Sequence, residues 1–161
     1  MRFLFFDRVL EAEAGKRIRA VKTFPLSEPF LAGHYARAPR VPGTLLLEAM
    51  CQAAGWLVLY SYGYEVACVI SLAENVRLAP GLRPGAAVEI AGEILDTNKR
   101  ATLARARVEE RGEVIASAER LIFPHFPSAN PAELERRFRA YGWLDGLPAQ
   151  EPSRQPAEEK G

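Results

Sequence analysis

The chain has 161 residues, of which 48% are hydrophobic and 25% are charged, and its 21 basic and 20 acidic side chains give a formal net charge of +1. This is the composition of a single globular domain with a sizeable core, and it argues against an electrostatic nucleic-acid binder. The N-terminal segment MRFLFFDRVLE has too short an apolar run for a secretory signal, and no apolar run approaches the roughly 20 residues of a membrane span, so we expect a cytoplasmic protein.

The first elements are predicted to be two strands. The segment FFDRVLEAEAGKRIRAVKTF carries β-branched residues at half-buried positions and a turn signal at residues 13–15. An irregular, proline-rich stretch occupies residues 33–43. Residues 44–60 then contain no proline and consist mostly of strong helix formers, with apolar side chains on almost every side. A helix of this kind, too short to cross a membrane, is expected to be enclosed by the rest of the protein.

The central part of the chain is predicted to be mostly strand. Four segments rich in Val, Ile, Leu and Ala are separated by turn signals, at residues 66–78, 86–98, 101–112 and 113–123. With the two N-terminal strands they predict a six-stranded, mainly antiparallel sheet. A curved sheet wrapped around one long central helix satisfies these constraints. The predicted fold class is therefore α+β, and the hot-dog architecture is its simplest form.

The chain changes character toward its C-terminus. We assign residues 1–126 to the hot-dog domain, 127–146 to a C-terminal helical extension and 147–161 to a disordered tail. The segment PAELERRFRAYGWL has the pattern of a short amphipathic helix, and the residues after it are polar and rich in proline. The aromatic residues of the extension are expected to cover the domain or to form an interface; they are Phe138, Tyr141 and Trp143.

The cysteines do not indicate a metal site. Cys51 and Cys68 have no partner at metal-ligand spacing, and with the two histidines of the chain they cannot form a compact tetrahedral set. We interpret Cys51, which lies in the apolar helix, as a buried and inert thiol.

Three features around the predicted helix suggest chemistry. Glu48 lies among apolar residues, where a carboxylate is costly to bury and is a candidate general acid, and Gln52 on the same face can hydrogen-bond and orient it. The N–H of Gly43 lies at the helix N-terminus, which favours developing negative charge. His34 lies on the loop before the helix. A base, an acid and an anion-stabilising amide suit proton abstraction beside a carbonyl with loss of a β-leaving group.

Each of these residues also has a simpler interpretation. A loop histidine such as His34 is more often an ordinary surface residue, and a lone glutamate in an apolar helix more often has an arginine partner. Pro-Gly before a helix is usually only a turn. His125, in the segment FPHFP, is predicted to be a loop residue without a role. The residues alone therefore leave open whether this domain with an enclosed helix contains a catalytic acid–base pair or only residues with these simpler roles.

Two segments match, in order and spacing, the motifs of a known family: GHYARAPRVPG at residues 33–43 and EAMCQ at residues 48–52. They resemble the FabZ-type (3R)-hydroxyacyl-acyl carrier protein dehydratases, which carry G-H-F-P-G-x-P-x-x-P-G before a helix that includes E-A-M-x-Q. The resemblance covers about residues 3–123 and includes EPF before the histidine loop and VRLAPGLRPG downstream.

The resemblance implies a hot-dog fold and a homodimer in which His34 of one subunit faces Glu48 of the other; hot-dog dimers often assemble further into higher oligomers. It implies a hydro-lyase that removes water reversibly from 3-hydroxyacyl thioesters on acyl carrier protein, in fatty-acid or specialised acyl-chain synthesis. His34 would remove the C2 proton, and Glu48 would help to protonate the departing hydroxyl. The Gly43 N–H would hydrogen-bond the thioester carbonyl. No cofactor and no metal is implied.

Some positions depart from the pattern of the family. Ala36-Arg37 replaces a Pro-Gly pair, which changes the expected path of the histidine loop. Arg37 and Arg40 place two cations beside the expected mouth of the pocket. There they either engage the phosphate of a phosphopantetheine arm or acidic residues of the carrier protein, or are merely solvated. Thr44 replaces an aliphatic residue and is expected to cap the helix or to narrow the substrate tunnel.

The acidic residue of the helix is glutamate, whereas the related FabA-type enzymes, which also isomerise the double bond, have aspartate. We therefore favour dehydration only. Two alternatives stay open: a hydratase or thioesterase of the same fold that acts on coenzyme A esters, and a non-catalytic hot-dog subunit that binds acyl chains or completes a heterodimer.

Overall fold

The computed structural model describes residues 4–32 and 37–142. In chain order the elements are β1 (Arg8–Glu13), β2 (Arg17–Phe24), a short 3-10 helix (Pro29–Leu31), α1 (Gly43–Ser61), β3 (Val66–Cys68), β4 (Leu72–Leu78), β5 (Ala86–Thr97), β6 (Ala101–Glu110), β7 (Glu113–Pro127) and α2 (Pro131–Gly142). The two N-terminal strands and the long apolar helix are where the sequence predicts them.

The strands form one antiparallel sheet in the order β1-β2-β5-β6-β7-β3, and β4 also pairs with β7. The hairpin between β6 and β7 turns on Arg111 and Gly112, which both have positive φ, 52° and 84°. Two consecutive positive φ values give the type I′ turn that matches the twist of the flanking strands. The sheet curls around α1, so the predicted α+β class and hot-dog architecture are confirmed.

The sequence predicts one strand where the structure has β3 and β4, so the described residues form seven strands and not six. Cys68 lies opposite His125, and Leu72 lies opposite Ile122. Between these two pairs the segment that joins β3 to β4 advances by four residues, whereas β7 advances by three. The extra residue interrupts the ladder as a bulge does. At the break, both the N–H and the hydroxyl of Ser71 donate to the carbonyl of Ile122, at 2.9 and 3.1 Å.

Small residues let α1 lie close to the concave face of the sheet. Ala49, Ala53 and Ala54 are completely buried. A Cβ placed on Gly92 of β5 would lie 3.1 Å from Ile18 Cγ2 and 3.8 Å from the Ala54 side chain. The helix is therefore in van der Waals contact with the sheet, at the packing density expected of a protein interior.

The sequence expectation that α1 is too short to cross a membrane does not hold, because its 19 residues are long and apolar enough to do so. The burial of its side chains identifies α1 instead as a core helix. Leu46, Met50, Leu57 and Val58 are completely buried. The apolar composition of α1 is that of a buried core helix.

The prediction that α1 is enclosed on all sides is only partly correct. Thr44 is exposed, and Glu48, Cys51, Gln52 and Trp56 are half-buried. These residues lie away from the sheet, which covers only one side of the helix. One stripe of α1 therefore borders a groove.

The outer face of the sheet is covered by pairs of opposite charge. Arginines and glutamates on neighbouring strands lie directly opposite one another or, for Arg19 and Glu89, two residues out of register, so their side chains meet across the strands. Three such pairs are Arg19–Glu89, Arg105–Glu93 and Arg120–Glu74. The side chains of each pair remain partly exposed to solvent, so the contribution of the pair to stability is small.

α2 begins at an asparagine cap and packs on α1. Asn130 Oδ1 accepts a hydrogen bond from the Glu133 N–H at 3.1 Å, and Pro131 is the first helical residue. Phe138 is completely buried, with its ring stacked on Trp56. Of the other aromatic residues predicted for the extension, the side chain of Tyr141 and all of Trp143 lie outside the described part. The division into domain, extension and tail remains a prediction.

Candidate active site

Glu48 and Gln52 lie one turn apart on α1, and Gln52 Nε2 donates to Glu48 Oε1 at 2.8 Å. The hydrogen bond predicted from their spacing is therefore present. Gln52 Oε1 in turn accepts the backbone N–H of Phe5 at 2.8 Å. Because a backbone N–H can only donate, this bond turns the amide oxygen toward Phe5 and the amide nitrogen toward Glu48. The N-terminal segment thus orients the carboxyl group through Gln52.

Glu48 and Gln52 border an apolar groove of about 390 Å³. Its α1 wall consists of Glu48, Cys51, Gln52, Gly55, Trp56 and Leu59. The opposite wall is formed by residues 68–70 and by Phe123. The groove therefore has a polar end at the carboxyl group and apolar walls beyond it.

The two thiols of the groove are uncharged at neutral pH. Burial, followed by the charge of Glu48, raises the pKa of Cys51 to about 11. Burial raises the pKa of Cys68 to about 12. Because a thiolate is the nucleophilic form, neither side chain suits covalent catalysis. This agrees with the interpretation of Cys51 as an inert thiol.

A second groove, of about 610 Å³, opens at the N-terminus of α1. Arg40, Gly43 and Thr44 line it together. The cap position is Pro42, which has extended backbone and no side-chain cap, so Thr44 does not cap the helix. A Cβ on Gly43 would lie 3.1 Å from Leu78 Cβ, so glycine lets the helix start against β4. The first N–H groups of α1 are at this end of the helix, where an anion is favoured.

Arg37 and Arg40 share a third groove, of about 480 Å³, with Arg83. Arg83 follows β4 in the turn before β5, and sequence spacing gave no signal that it joins the other two. No ion pair to a carboxylate involves these three arginines within the part of the chain that the structure describes. Three cations therefore surround one surface groove next to the α1 N-terminus.

A family model described as "FabA-like domain" matches residues 1–119. The chain belongs to this FabA-like family. Curated relatives agree: a 3-hydroxyacyl-[acyl-carrier-protein] dehydratase FabZ of Thiobacillus denitrificans is 39% identical over 73% of this chain and 83% of the relative. The corresponding FabZ of Shewanella amazonensis is 32% identical over 73% and 79%. The family predicted from the two motifs is confirmed.

Solved structures support the fold. The protein smu.793 of Streptococcus mutans bound to acetyl CoA superposes with a TM-score of 0.62 at 15% identity, covering 80% of this chain and 94% of that one. The dehydratase heterocomplex ApeI:P of Xenorhabdus doucetiae gives a TM-score of 0.62 at 14% identity, covering 82% and 89%. At these identities the likeness concerns the fold alone.

His34, the predicted base of this FabA-like chain, lies outside the described residues together with Gly33, Tyr35 and Ala36. Its placement and the effect of the Ala36 departure stay predictions. Glu48, Gln52, Gly43, Thr44, Arg37 and Arg40 are all described. The structure brings Glu48 to Gln52 and brings Arg40 to Gly43, in two separate grooves.

His125 is in a strand, contrary to the loop predicted from FPHFP. It pairs with Cys68, and its Nε2 lies 2.9 Å from Thr102 Oγ1. The ring packs edge-on against Tyr62 at 4.7 Å between centroids, and burial lowers the pKa of the imidazole. Prolines on both sides suggested a loop, but β7 continues to Pro127.

Within residues 4–32 and 37–142, no group of three or more His, Cys, Asp and Glu side chains is arranged to hold a metal ion.

Proposed function

We propose that the protein converts (3R)-3-hydroxyacyl thioesters on acyl carrier protein to trans-2-enoyl thioesters. The observation that supports this best is the Glu48–Gln52 hydrogen bond at the polar end of an apolar groove, in a chain of the FabA-like family. An acyl substrate has the same polarity, with a hydroxyl and a thioester at one end and an alkyl tail at the other.

In the proposed reaction, the partner subunit's His34 removes a proton from C2 of the substrate. The electron pair of the C2–H bond forms the C2=C3 double bond, and the C3–O bond breaks. Glu48 donates a proton to the departing hydroxyl, which leaves as water. The Gly43 N–H donates to the thioester oxygen as negative charge develops there, aided by the helix dipole. These steps leave the thioester and the carrier unchanged.

A homodimer is part of the proposal. Val69 and Ile70, beside the groove, are 58% and 39% exposed, and the neighbouring Leu72 is 40% exposed. A contiguous set of exposed apolar side chains is of the kind that a second copy covers. We also propose a cytoplasmic location and, because the acid is glutamate, dehydration without isomerisation.

A direct assay separates this function from its alternatives. The protein is incubated with a 3-hydroxyacyl thioester on acyl carrier protein and on coenzyme A, and enoyl absorbance and free thiol are followed. Enoyl formation on the carrier protein supports the dehydratase, and enoyl formation on coenzyme A alone indicates a hydratase of the same fold. Free thiol without enoyl product indicates a thioesterase, and no product on either carrier indicates a subunit that only binds acyl chains.

Replacing Gln52 by leucine is expected to lower kcat by about 10- to 100-fold, because the carboxyl group of Glu48 loses the donor that orients it. The free energy of unfolding should fall by about 1–3 kcal/mol, because the same change removes the Oε1 acceptor of the Phe5 N–H. Steady-state kinetics and urea titration measure the two effects.

Gln52→Glu is the control. It keeps an acceptor for Phe5 but has no amide donor for Glu48, so kcat should fall with a smaller loss of stability. A Gln52→Leu protein with wild-type kcat would contradict the orienting role.

Replacing Arg37, Arg40 and Arg83 together by alanine is expected to raise KM for a carrier-bound substrate by at least about 10- to 100-fold, because the loss of even one hydrogen bond to a charged group costs about 1.5–3 kcal/mol. The N-acetylcysteamine thioester, which lacks both phosphate and carrier, should be converted as before. Initial rates with the two substrates measure the difference.

Arg105→Ala, on the outer face of the sheet, is the matched control and should leave KM unchanged. The same KM in the triple variant and the wild type would show that the three arginines are merely solvated.

A further inference from the structure

One stripe of α1 carries the polar and aromatic residues Glu48, Gln52, Trp56 and Tyr60 at four-residue spacing. Residues four apart lie on the same face of a helix, one turn above another. Glu48, Gln52 and Trp56 all line the same groove. The groove therefore runs along the helix axis, with a carboxyl group at its start and an indole ring farther along.

The indole ring is held from outside the groove by α2. Trp56 and Phe138 stack with ring centroids 5.0 Å apart and an interplanar angle of 6°. Phe138 also packs on Tyr60 at 5.9 Å and on Tyr64 at 6.2 Å, and it is completely buried. Trp56 is thus supported by a cluster of aromatic rings that leaves the indole little freedom to turn aside.

The supporting helix lies beyond the part of the chain that the family match covers. That match ends at residue 119, whereas α2 spans Pro131–Gly142. The residues of the proposed chemistry lie within the matched part. The support for Trp56 is therefore a feature of this chain that the family match does not include.

We propose that Trp56, held by Phe138, narrows the groove before its last α1 residue, Leu59, and thereby limits the length of the acyl tail that the enzyme accepts. The proposal rests on the proposed function. Eight residues of helix separate Glu48 from Trp56, which corresponds to about 12 Å along the axis. The occupant of this segment is the alkyl tail, because the hydroxyl-bearing carbon must lie at Glu48 and the walls beyond it are apolar and uncharged.

The test measures kcat/KM for 3-hydroxybutyryl, 3-hydroxydecanoyl and 3-hydroxypalmitoyl thioesters on acyl carrier protein. In the wild type, kcat/KM should fall for the longest tail. In Trp56→Ala, the ratio of kcat/KM for the 3-hydroxypalmitoyl substrate to kcat/KM for the 3-hydroxybutyryl substrate should rise at least about tenfold. Pocket contacts with a few methylene groups discriminate between substrates by about this amount. Phe138→Ala should raise the ratio in the same direction.

Leu134→Ala is the matched control. Leu134 also lies on α2 and packs on the core, but it is not in the ring cluster around Trp56. Leu134→Ala should leave the ratio of long-chain to short-chain kcat/KM unchanged, even if it lowers the midpoint of thermal unfolding. If Trp56→Ala does not fold, as judged by circular dichroism, Trp56→Leu takes its place with the same expected direction.

Two outcomes would overturn the proposal, and they are distinct. A Trp56 variant that is active on the short substrate with the wild-type chain-length profile overturns the assignment of Trp56 alone. A wild-type protein that forms no enoyl product at any chain length overturns the proposed function and, with it, this proposal.

Discussion

Glu48→Gln is expected to lower kcat by about 100- to 10,000-fold, the contribution of a positioned general acid. The substitution is isosteric, and the new amide oxygen can still accept the hydrogen bond from Gln52 Nε2 that Glu48 Oε1 accepts at 2.8 Å. What the variant loses is a proton that it can give to the departing hydroxyl. Single-turnover rates on a carrier-bound substrate measure the effect, and the thermal midpoint should stay within a few degrees of the wild type.

A mixing experiment extends this prediction to the dimer. His34→Ala and Glu48→Gln subunits, each inactive alone, should regain activity when unfolded together and refolded. In a symmetric dimer, random mixing restores one intact site in half of the molecules, which gives about a quarter of wild-type activity. Activity that stays at the level of the separate variants would indicate that both residues act within one subunit or not at all. A wild-type rate in Glu48→Gln itself would remove Glu48 from the mechanism.

Phe24→Ala is expected to lower the free energy of unfolding by about 3–5 kcal/mol, because the large side chain leaves a cavity. Phe24 ends β2, is completely buried, and packs edge-on against Phe30 with ring centroids 6.4 Å apart. Loss of this ring removes contacts between the sheet and the segment that leads to the histidine loop. Urea denaturation followed by circular dichroism measures the change.

Phe126→Ala is the matched control, since it removes the same side chain from a site that is 50% exposed. Phe126→Ala should lower the free energy of unfolding much less than Phe24→Ala does, because half of the ring is already in water. Equal losses for the two variants would contradict the position of the core described above.

The architecture could be predicted because local signals and tertiary packing agree. The absence of proline in residues 44–60, together with strong helix formers, predicted α1 within one residue of its bounds, Gly43–Ser61. The I′ turn at Arg111-Gly112 coincides with the turn signal between two predicted strands. The break between β3 and β4 was not predictable, because it depends on register against β7, and Val69 and Ile70 favour strand as strongly as their neighbours.

The site was predictable where its residues are close in sequence. Gln52 reaches Glu48 because four residues make one helical turn, and this follows from sequence alone. Arg83 joins Arg37 and Arg40 only through the folding of the sheet, so no spacing revealed it. The stacking of Phe138 on Trp56 is likewise a contact between distant segments, and the sequence predicted only that such aromatic residues cover the domain or form an interface.

The paired charges on the outer face of the sheet have a consequence for encounter with a carrier. The electric fields of two adjacent opposite charges, such as Arg19 and Glu89, nearly cancel a short distance away. This face therefore presents little net potential to an approaching molecule. Among the described residues that line their groove, no carboxylate cancels the charge of Arg37, Arg40 and Arg83. The three guanidinium groups thereby make that side locally positive in a protein whose formal net charge is only +1. An acidic macromolecule would be steered to that side during diffusion, at a rate that decreases as ionic strength rises.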